Sequence, residues 1–310
     1  MPETAMPATA TSAESSDRLQ RFLLPDAGVR GVHVSLSDTW RQIRDRSHYP
    51  PSIAELLGEA AAAAALLTGH AKVDGRLSIQ LRGHGALRTL FVECTAAGTL
   101  RGIAQLAEDA DASAAARDLR ELGPDAILAI TIENPGLRGG DPVRYQGLVP
   151  IQSDSLGGAL EDYFRQSEQL PTRLLLAANG DRAAGLMLQK LPGDEGDADG
   201  WTRAGALFDT LHGPELLASA GQSLLHRLFH EETPQLTATR GLSFACSCSR
   251  ERVAGMLQAL GAEEAHAAVI GGHAEIRCEF CGQTYHFSPA EVEALFAPGT
   301  VHSGAPERLQ

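Results

Sequence analysis

Cys246, Cys248, Cys278 and Cys281 form two short clips, Cys246-Ser247-Cys248 and Cys278-Glu279-Phe280-Cys281, near the end of a 310-residue chain. Two close pairs of soft thiolates suit one tetrahedral metal, and thiolate ligands favour zinc. Because each clip brings two ligands together in advance, the spacing predicts one bound Zn2+. The same sulfurs also support redox chemistry. Around zinc, with Zn–S bonds of about 2.3 Å, they stand about 3.8 Å apart, whereas a disulfide requires about 2.05 Å. Joining Cys246 to Cys248, or Cys278 to Cys281, would therefore eject the metal. Metal binding is folding free energy for a small module, so ejection should loosen it. A zinc ribbon whose metal serves only to hold the module together fits this spacing as well.

Other residues compete for roles near the clips. His266, His273 and His286 lie within or just beyond them, but four cysteines complete a tetrahedron, which leaves these histidines as surface or packing residues. Arg250, Arg252 and Arg277 could offset thiolate charge, although such arginines usually form solvated pairs. The fifth cysteine, Cys94, follows Leu90-Phe91-Val92-Glu93 and reads as a small core residue on a half-buried strand.

A net charge of -13 argues against a general nucleic-acid binder and against a polybasic membrane surface. The first sixteen residues have neither a basic stretch nor an apolar one, so they predict a disordered tail rather than a signal peptide and a cytoplasmic protein. The most apolar run, Ala60 to Leu67, is short and follows Glu55 and Glu59, which predicts no membrane span. In a reducing cytoplasm, paired cysteines are metal ligands or redox centres more often than structural disulfides.

Several elements must carry and position this module. Ser52-Ile53-Ala54-Glu55 has the form of a capping box, and Ile53, Leu56, Leu57, Ala60, Ala64 and Leu67 follow at helical spacing. Leu77, Ile79 and Leu81 alternate ahead of Gly83-His84-Gly85 and a second apolar run to Glu93, which predicts a hairpin. Ile127 to Ile132 adds a further strand. Leu156, Ala159, Leu160, Tyr163 and Phe164 mark an amphipathic helix closed by Pro171, and Thr172–Ala177 with Ala184–Leu191 flank Asn179-Gly180-Asp181 as another hairpin. The acidic, glycine-rich run from Pro192 to Gly200 reads as a flexible connection. After it, one helix is expected from Pro214 to Phe229, with Leu216, Leu217, Ala220, Leu224, Leu228 and Phe229 on its apolar face.

Longer strings carry a resemblance. Phe244-Ala245-Cys246-Ser247-Cys248-Ser249-Arg250-Glu251-Arg252, Ile276-Arg277-Cys278-Glu279-Phe280-Cys281 with Tyr285, and Tyr163-Phe164-Arg165-Gln166-Ser167-Glu168-Gln169-Leu170-Pro171-Thr172 occur in the order found in one family. Leu56-Leu57-Gly58-Glu59, Val92-Glu93-Cys94, Tyr145-Gln146-Gly147 and Leu228-Phe229-His230-Glu231-Glu232 agree as well. On these strings the chain, over roughly residues 17–298, resembles the 33 kDa redox-regulated heat-shock chaperones. The resemblance implies an ATP-independent cytoplasmic holdase that binds unfolding proteins under oxidative stress. It implies a zinc-bound, largely inactive reduced form and an oxidised form that dimerises. Cys246, Cys248, Cys278 and Cys281 would serve as ligands and as redox centres, paired Cys246–Cys248 and Cys278–Cys281. The acidic run from Asp194 to Asp199 and the long N-terminal tail look like additions to the family pattern.

The expected fold class is mixed α+β. The expected divisions are a disordered tail over 1–16, an α+β core domain over 17–191, a metastable linker with a helix over 192–242, a zinc-binding redox-switch domain over 243–298 and a tail over 299–310. No phosphate-binding Gly-x-x-x-x-Gly-Lys run, nucleophile elbow or His-Glu-x-x-His helix is present, so no catalytic residues are assigned and no enzyme is expected. Two other readings remain: a thiol-disulfide oxidoreductase working through Cys278 and Cys281, and a zinc-ribbon adaptor for nucleic acid.

Overall fold

A computed structural model describes residues 17–108, 117–136, 140–193 and 197–297. The tails expected over 1–16 and 299–310, and Asp194 to Gly196 of the acidic run, lie outside the described residues. The chain begins with β1 (Arg18–Leu24), β2 (Val29–Leu36), α1 (Asp38–Arg44) and α2 (Pro51–His70). β3 (Arg76–Arg82), β4 (Leu87–Thr95), β5 (Thr99–Leu106), β6 (Ile127–Asn134), β7 (Val143–Pro150) and α3 (Leu156–Ser167) follow. Next are β8 (Thr172–Ala178), β9 (Ala183–Lys190), α4 (Gly200–Asp209), α5 (Gly213–Ala218), α6 (Gly221–Phe229), β10 (Gln235–Gly241) and β11 (Ser243–Phe244). The last elements are α7 (Arg250–Leu260), α8 (Ala262–Ala267), β12 (Val269–Ile270), β13 (His273–Arg277), β14 (Thr284–Phe287) and α9 (Pro289–Leu295). This is the mixed α+β class expected.

Two sheets enclose α2. The five-stranded sheet runs β10-β1-β2-β9-β8, and the six-stranded sheet runs β11-β5-β4-β3-β6-β7. From Ala60 to Leu66 every residue of α2 is buried, so the alanine run has sheet on both sides and lets the two layers approach. By length and composition alone α2 could cross a bilayer, but it is the core helix between these sheets. Its start differs from the capping box expected at Ser52. Pro50 is the N-cap, no side chain caps the helix, and Pro51 occupies the first turn. A proline there gives up only an N–H that would have no helical partner, so the cap serine is not needed.

Both expected hairpins form. Ile79 pairs with Val92 and with Ile130 across β3, β4 and β6, and Leu174 pairs with Met187 across β8 and β9. At the second turn the Asn179 side-chain oxygen accepts from the backbone N–H groups of Asp181 and Arg182, both at 2.8 Å. Cys94 is fully buried and faces Leu77 and Leu100. Burial pushes its thiol up to about 12, which makes it the inert core cysteine expected.

The other face of the five-stranded sheet carries a second apolar cluster. Phe22, Leu24, Val29, Leu186 and Leu188 meet Ala204, Phe208, Leu216, Leu224, Leu225, Leu228 and Phe229 there. The single helix expected over Pro214–Phe229 is in fact two, α5 and α6, broken where Ser219 and Ala220 take extended backbone. Ala220, at the break, is exposed rather than on the apolar face. The break sets α6 directly on the sheet, with Gly221 against Gln20 and His33, and a Cβ at Gly221 would collide with both side chains. β10, within the expected linker, pairs along β1.

His33 is buried, and among the described residues neither ring nitrogen has a hydrogen-bond partner. Burial lowers its pKa from 6.5 to about 4, so the folded state binds this proton less readily than the unfolded chain. The neutral ring's contribution is intact above pH 6.5 and is lost as pH falls toward 4, by up to about 3 kcal/mol. Urea melts at pH 7 and pH 4.5 should show this acid loss in the native chain, and a smaller loss in His33→Leu. An equal loss in both proteins would exclude His33 as its source.

Candidate metal centre

The first clip hangs from the edge of the six-stranded sheet. β11 pairs in parallel with β5, Phe244 opposite Leu100, and the Ala245 N–H donates to Leu100 O at 3.0 Å. Cys246 and Cys248 follow directly. Ser249 then caps α7, its hydroxyl accepting from the Arg252 N–H at 3.3 Å, so the clip is held between a strand and a helix start. The second clip is the turn of the β13–β14 hairpin, where Arg277 pairs with Thr284. The Cys278 N–H donates to Gln283 O and the Gly282 N–H to Cys278 O, both at 2.8 Å. Gly282 has φ +72, a left-handed conformation that a residue with a Cβ adopts at a penalty.

These two clips bring the four sulfurs together, all within 4.8 Å of one another. Cys246 Sγ lies 3.7 Å from Cys278 Sγ, and Cys248 Sγ lies 3.3 Å from Cys281 Sγ. Sulfurs around zinc stand about 3.8 Å apart, so the donor set and its spacing suit one such ion. The Tyr285 hydroxyl donates to Cys248 Sγ at 3.1 Å. Burial raises the Cys248 thiol, but hydrogen bonds from Tyr285 and from the other cysteines outweigh it and bring it down to about 7. Burial and the neighbouring sulfurs push Cys281 up to about 12 and also raise Cys246, although the Cys248 backbone N–H opposes the rise at Cys246. The Cys248 thiol thus gives up its proton more readily than those of Cys246 and Cys281. A divalent ion binding all four as thiolates would displace the remaining protons.

The charged neighbours differ from those singled out in the sequence. Arg250 donates to His286 O and pairs with Glu291, and Arg252 donates to Ser247 O. The arginine that bonds a cluster sulfur, Cys246, is Arg101 of β5, which also pairs with Glu93 at 3.1 Å. His266 lies 2.9 Å from Glu293, while His273 and His286 face each other beside Glu275.

The second clip also rests on the body of the protein. The Phe280 ring meets Phe91 of β4 edge-on, with centroids 5.8 Å apart, and lies under the Arg101 guanidinium at 4.5 Å. Arg46 donates to Cys281 O at 3.1 Å, and Gln105 donates to Glu279 at 3.0 Å. Cysteine spacing gives no hint of this docking. The signal was an apolar aromatic placed between two ligands, where a purely chelating turn needs none. Aromatic and cation–π contacts of this kind are each worth about 0.5–1.5 kcal/mol. Phe280→Ala should therefore keep one zinc per chain while weakening docking by about 1–2 kcal/mol, seen as faster hydrogen exchange over residues 243–297. Loss of zinc in that variant would show that Phe280 shapes the clip instead.

The same architecture occurs in known proteins. A 33 kDa chaperonin from Ectopseudomonas mendocina is 44% identical over 289 residues, covering 91% of this chain and 96% of its own. One from Pseudomonas aeruginosa is 42% identical over 292 residues, covering 91% and 95%. The crystal structure of the 33 kDa chaperonin (Heat shock protein 33 homolog) from Thermotoga maritima superposes with a TM-score of 0.72 at 20% identity, covering 90% of this chain and 97% of that one. The family model described as Hsp33 protein matches residues 17–288, and on this match and these identities the chain belongs to the Hsp33 family.

Proposed function

We propose that this Hsp33 protein is an ATP-independent cytoplasmic chaperone that holds unfolding proteins, and that oxidation of its sulfur cluster activates it. Relatives carrying the name 33 kDa chaperonin support the chaperone reading. The observation that carries the switch is the position of the cluster: four sulfurs within 4.8 Å join a strand edge of the body to a hairpin docked upon it. In the reduced form Cys246, Cys248, Cys278 and Cys281 hold one Zn2+. Zinc supplies structure here and no bond-making chemistry.

Oxidation then forms two disulfides. Four thiolates give up four electrons in all, two peroxides accept them and are reduced to water with proton uptake, and the metal leaves. Disulfides between the clips would staple the hairpin to the body, whereas Cys246–Cys248 and Cys278–Cys281 leave the clips free to part. The second pairing is the one that the family resemblance implies, and it is the one compatible with a switch. The working divisions are a core domain over 17–191, a linker over 192–242 and a redox-switch domain over 243–298.

When the switch domain loosens, β11 leaves β5, the release passes back along the chain through β10 to α4–α6, and the apolar sheet face of Phe22, Leu24, Leu186 and Leu188 that these helices cover opens to clients. Edge strand β7 already exposes Val143, Tyr145 and Leu148, an apolar edge suited to a second copy in the oxidised dimer. Light scattering of a thermally unfolding client tests the reading. The peroxide-treated protein should suppress aggregation and the reduced zinc form should not. Equal failure of both forms contradicts a redox-activated holdase, and turnover in a disulfide-reduction assay would favour the oxidoreductase.

A further inference from the structure

One face of the three-stranded sheet β12-β13-β14 is apolar and supports the module's core. Ala274, Ile276, Tyr285 and Phe287 point into it with Val253, Leu257 and Val292. Successive strand residues alternate between faces, so His273, Glu275 and His286 share the opposite, solvent face. Glu275 and His286 are direct cross-strand partners, and His273 stands two residues before Glu275 on β13. The two imidazoles lie 5.0 Å apart between centroids. A Glu275 carboxylate oxygen sits 3.8 Å from His273 Nε2 and 3.9 Å from His286 Nδ1, and one donor atom from each residue falls within 4.8 Å of the others.

We infer that His273, Glu275 and His286 form a second metal site, free of thiols, for a borderline divalent transition metal such as Zn2+ or Ni2+. Two imidazoles and one carboxylate on one side of an ion are a donor set that such metals favour, with the remaining positions left to water. Ligand bonds of about 2.0–2.2 Å put neighbouring donors about 3.0–3.4 Å apart. The side chains are 44%, 57% and 56% exposed, which leaves them free to rotate and bring donors now within 4.8 Å of one another closer by the roughly 0.5–1.5 Å that this spacing requires. The strand register does the rest.

Occupancy straps β13 to β14, the strands that flank the Cys278–Cys281 turn and carry Tyr285. None of the three ligands is a thiol, so an oxidant that empties the sulfur cluster leaves this strap in place. A metal here therefore opposes unfolding of the switch domain and raises the oxidant dose needed for activation. That consequence rests on the redox reading above, whereas the site itself does not.

The experiment uses the reduced full-length protein with its sulfur cluster loaded with zinc, and Ni2+ as the probe. Equilibrium dialysis with elemental analysis should show one Ni2+ bound at micromolar levels with the zinc retained. Paramagnetic broadening should centre on the amides of Ala274, Glu275 and His286. His286→Ala, on the exposed face, should keep its zinc and weaken Ni2+ at least about ten-fold, since loss of even an outer-shell partner typically weakens a metal by about 10–100-fold. Glu275→Gln should weaken it while keeping both rings. At Ni2+ about 100 times its dissociation constant, hydrogen exchange of β13 and β14 should slow about 100-fold wherever exchange needs local opening. Absence of broadening at those amides, or Ni2+ uptake equal in the native chain and His286→Ala, would overturn the site. A bound Ni2+ that leaves the oxidant dose unchanged would keep the site and reject only its link to the switch.

Discussion

Changing Cys278 to serine is expected to strip the chain of its zinc and most of the order in residues 243–297, while the core domain over 17–191 stays folded. The module's own core is small, built on Val253, Ala254, Leu257, Ala265, Ala274, Phe287 and Val292. Structural zinc in modules of this size contributes about 10–16 kcal/mol of apparent binding free energy at pH 7, far more than such a core supplies alone. Losing one of four thiolates removes several kcal/mol of that and leaves the β13–β14 turn without its anchor to the first clip. Elemental analysis with amide hydrogen exchange reads both effects. Full retention of zinc, or protection of 243–297 unchanged without zinc, would show that the module folds on its core.

The second large effect lies on the covered sheet face. Phe229 is fully buried at the end of α6 and stacks on Phe22, with ring centroids 6.2 Å apart and planes at 26°. Phe229→Ala should destabilise this packing by about 3–5 kcal/mol and release α6 without touching the sulfur cluster. The reduced, zinc-bound variant is expected to suppress client aggregation with no oxidant present. Dye binding should confirm that the apolar face is open. An open face with no holdase activity would place client binding elsewhere.

The candidate site was legible in the sequence because chelation is local: two ligands per clip and a left-handed Gly282 need only a few residues. Elements with strong periodicity were legible for the same reason, as with Leu156 to Phe164 and the hairpin of Leu77, Ile79 and Leu81. Long-range effects were not legible. The strands β1, β2 and β10 show no clean alternation, because β1 and β2 are covered on both faces and β10 is an exposed edge strand. The apolar spacing from Leu216 to Phe229 suits a straight helix, yet contact of Gly221 with Gln20 and His33 on the sheet imposes a break. Ser52 had the composition of a cap, but the prolines at 50 and 51 set the helix start earlier. The docking of Phe280 on Phe91 and Arg101 joins residues far apart in the chain, and the apolar aromatic between two ligands is a local hint that says nothing of its partners.

One measurement bears on the central claim most directly: zinc content, free thiols and hydrogen exchange over 243–297 followed together through a peroxide titration of the reduced protein. The account predicts that one zinc leaves as four thiols disappear, with protection of 243–297 lost in the same dose range. Zinc still bound and 243–297 still protected after Cys246, Cys248, Cys278 and Cys281 have all become cystines would contradict it.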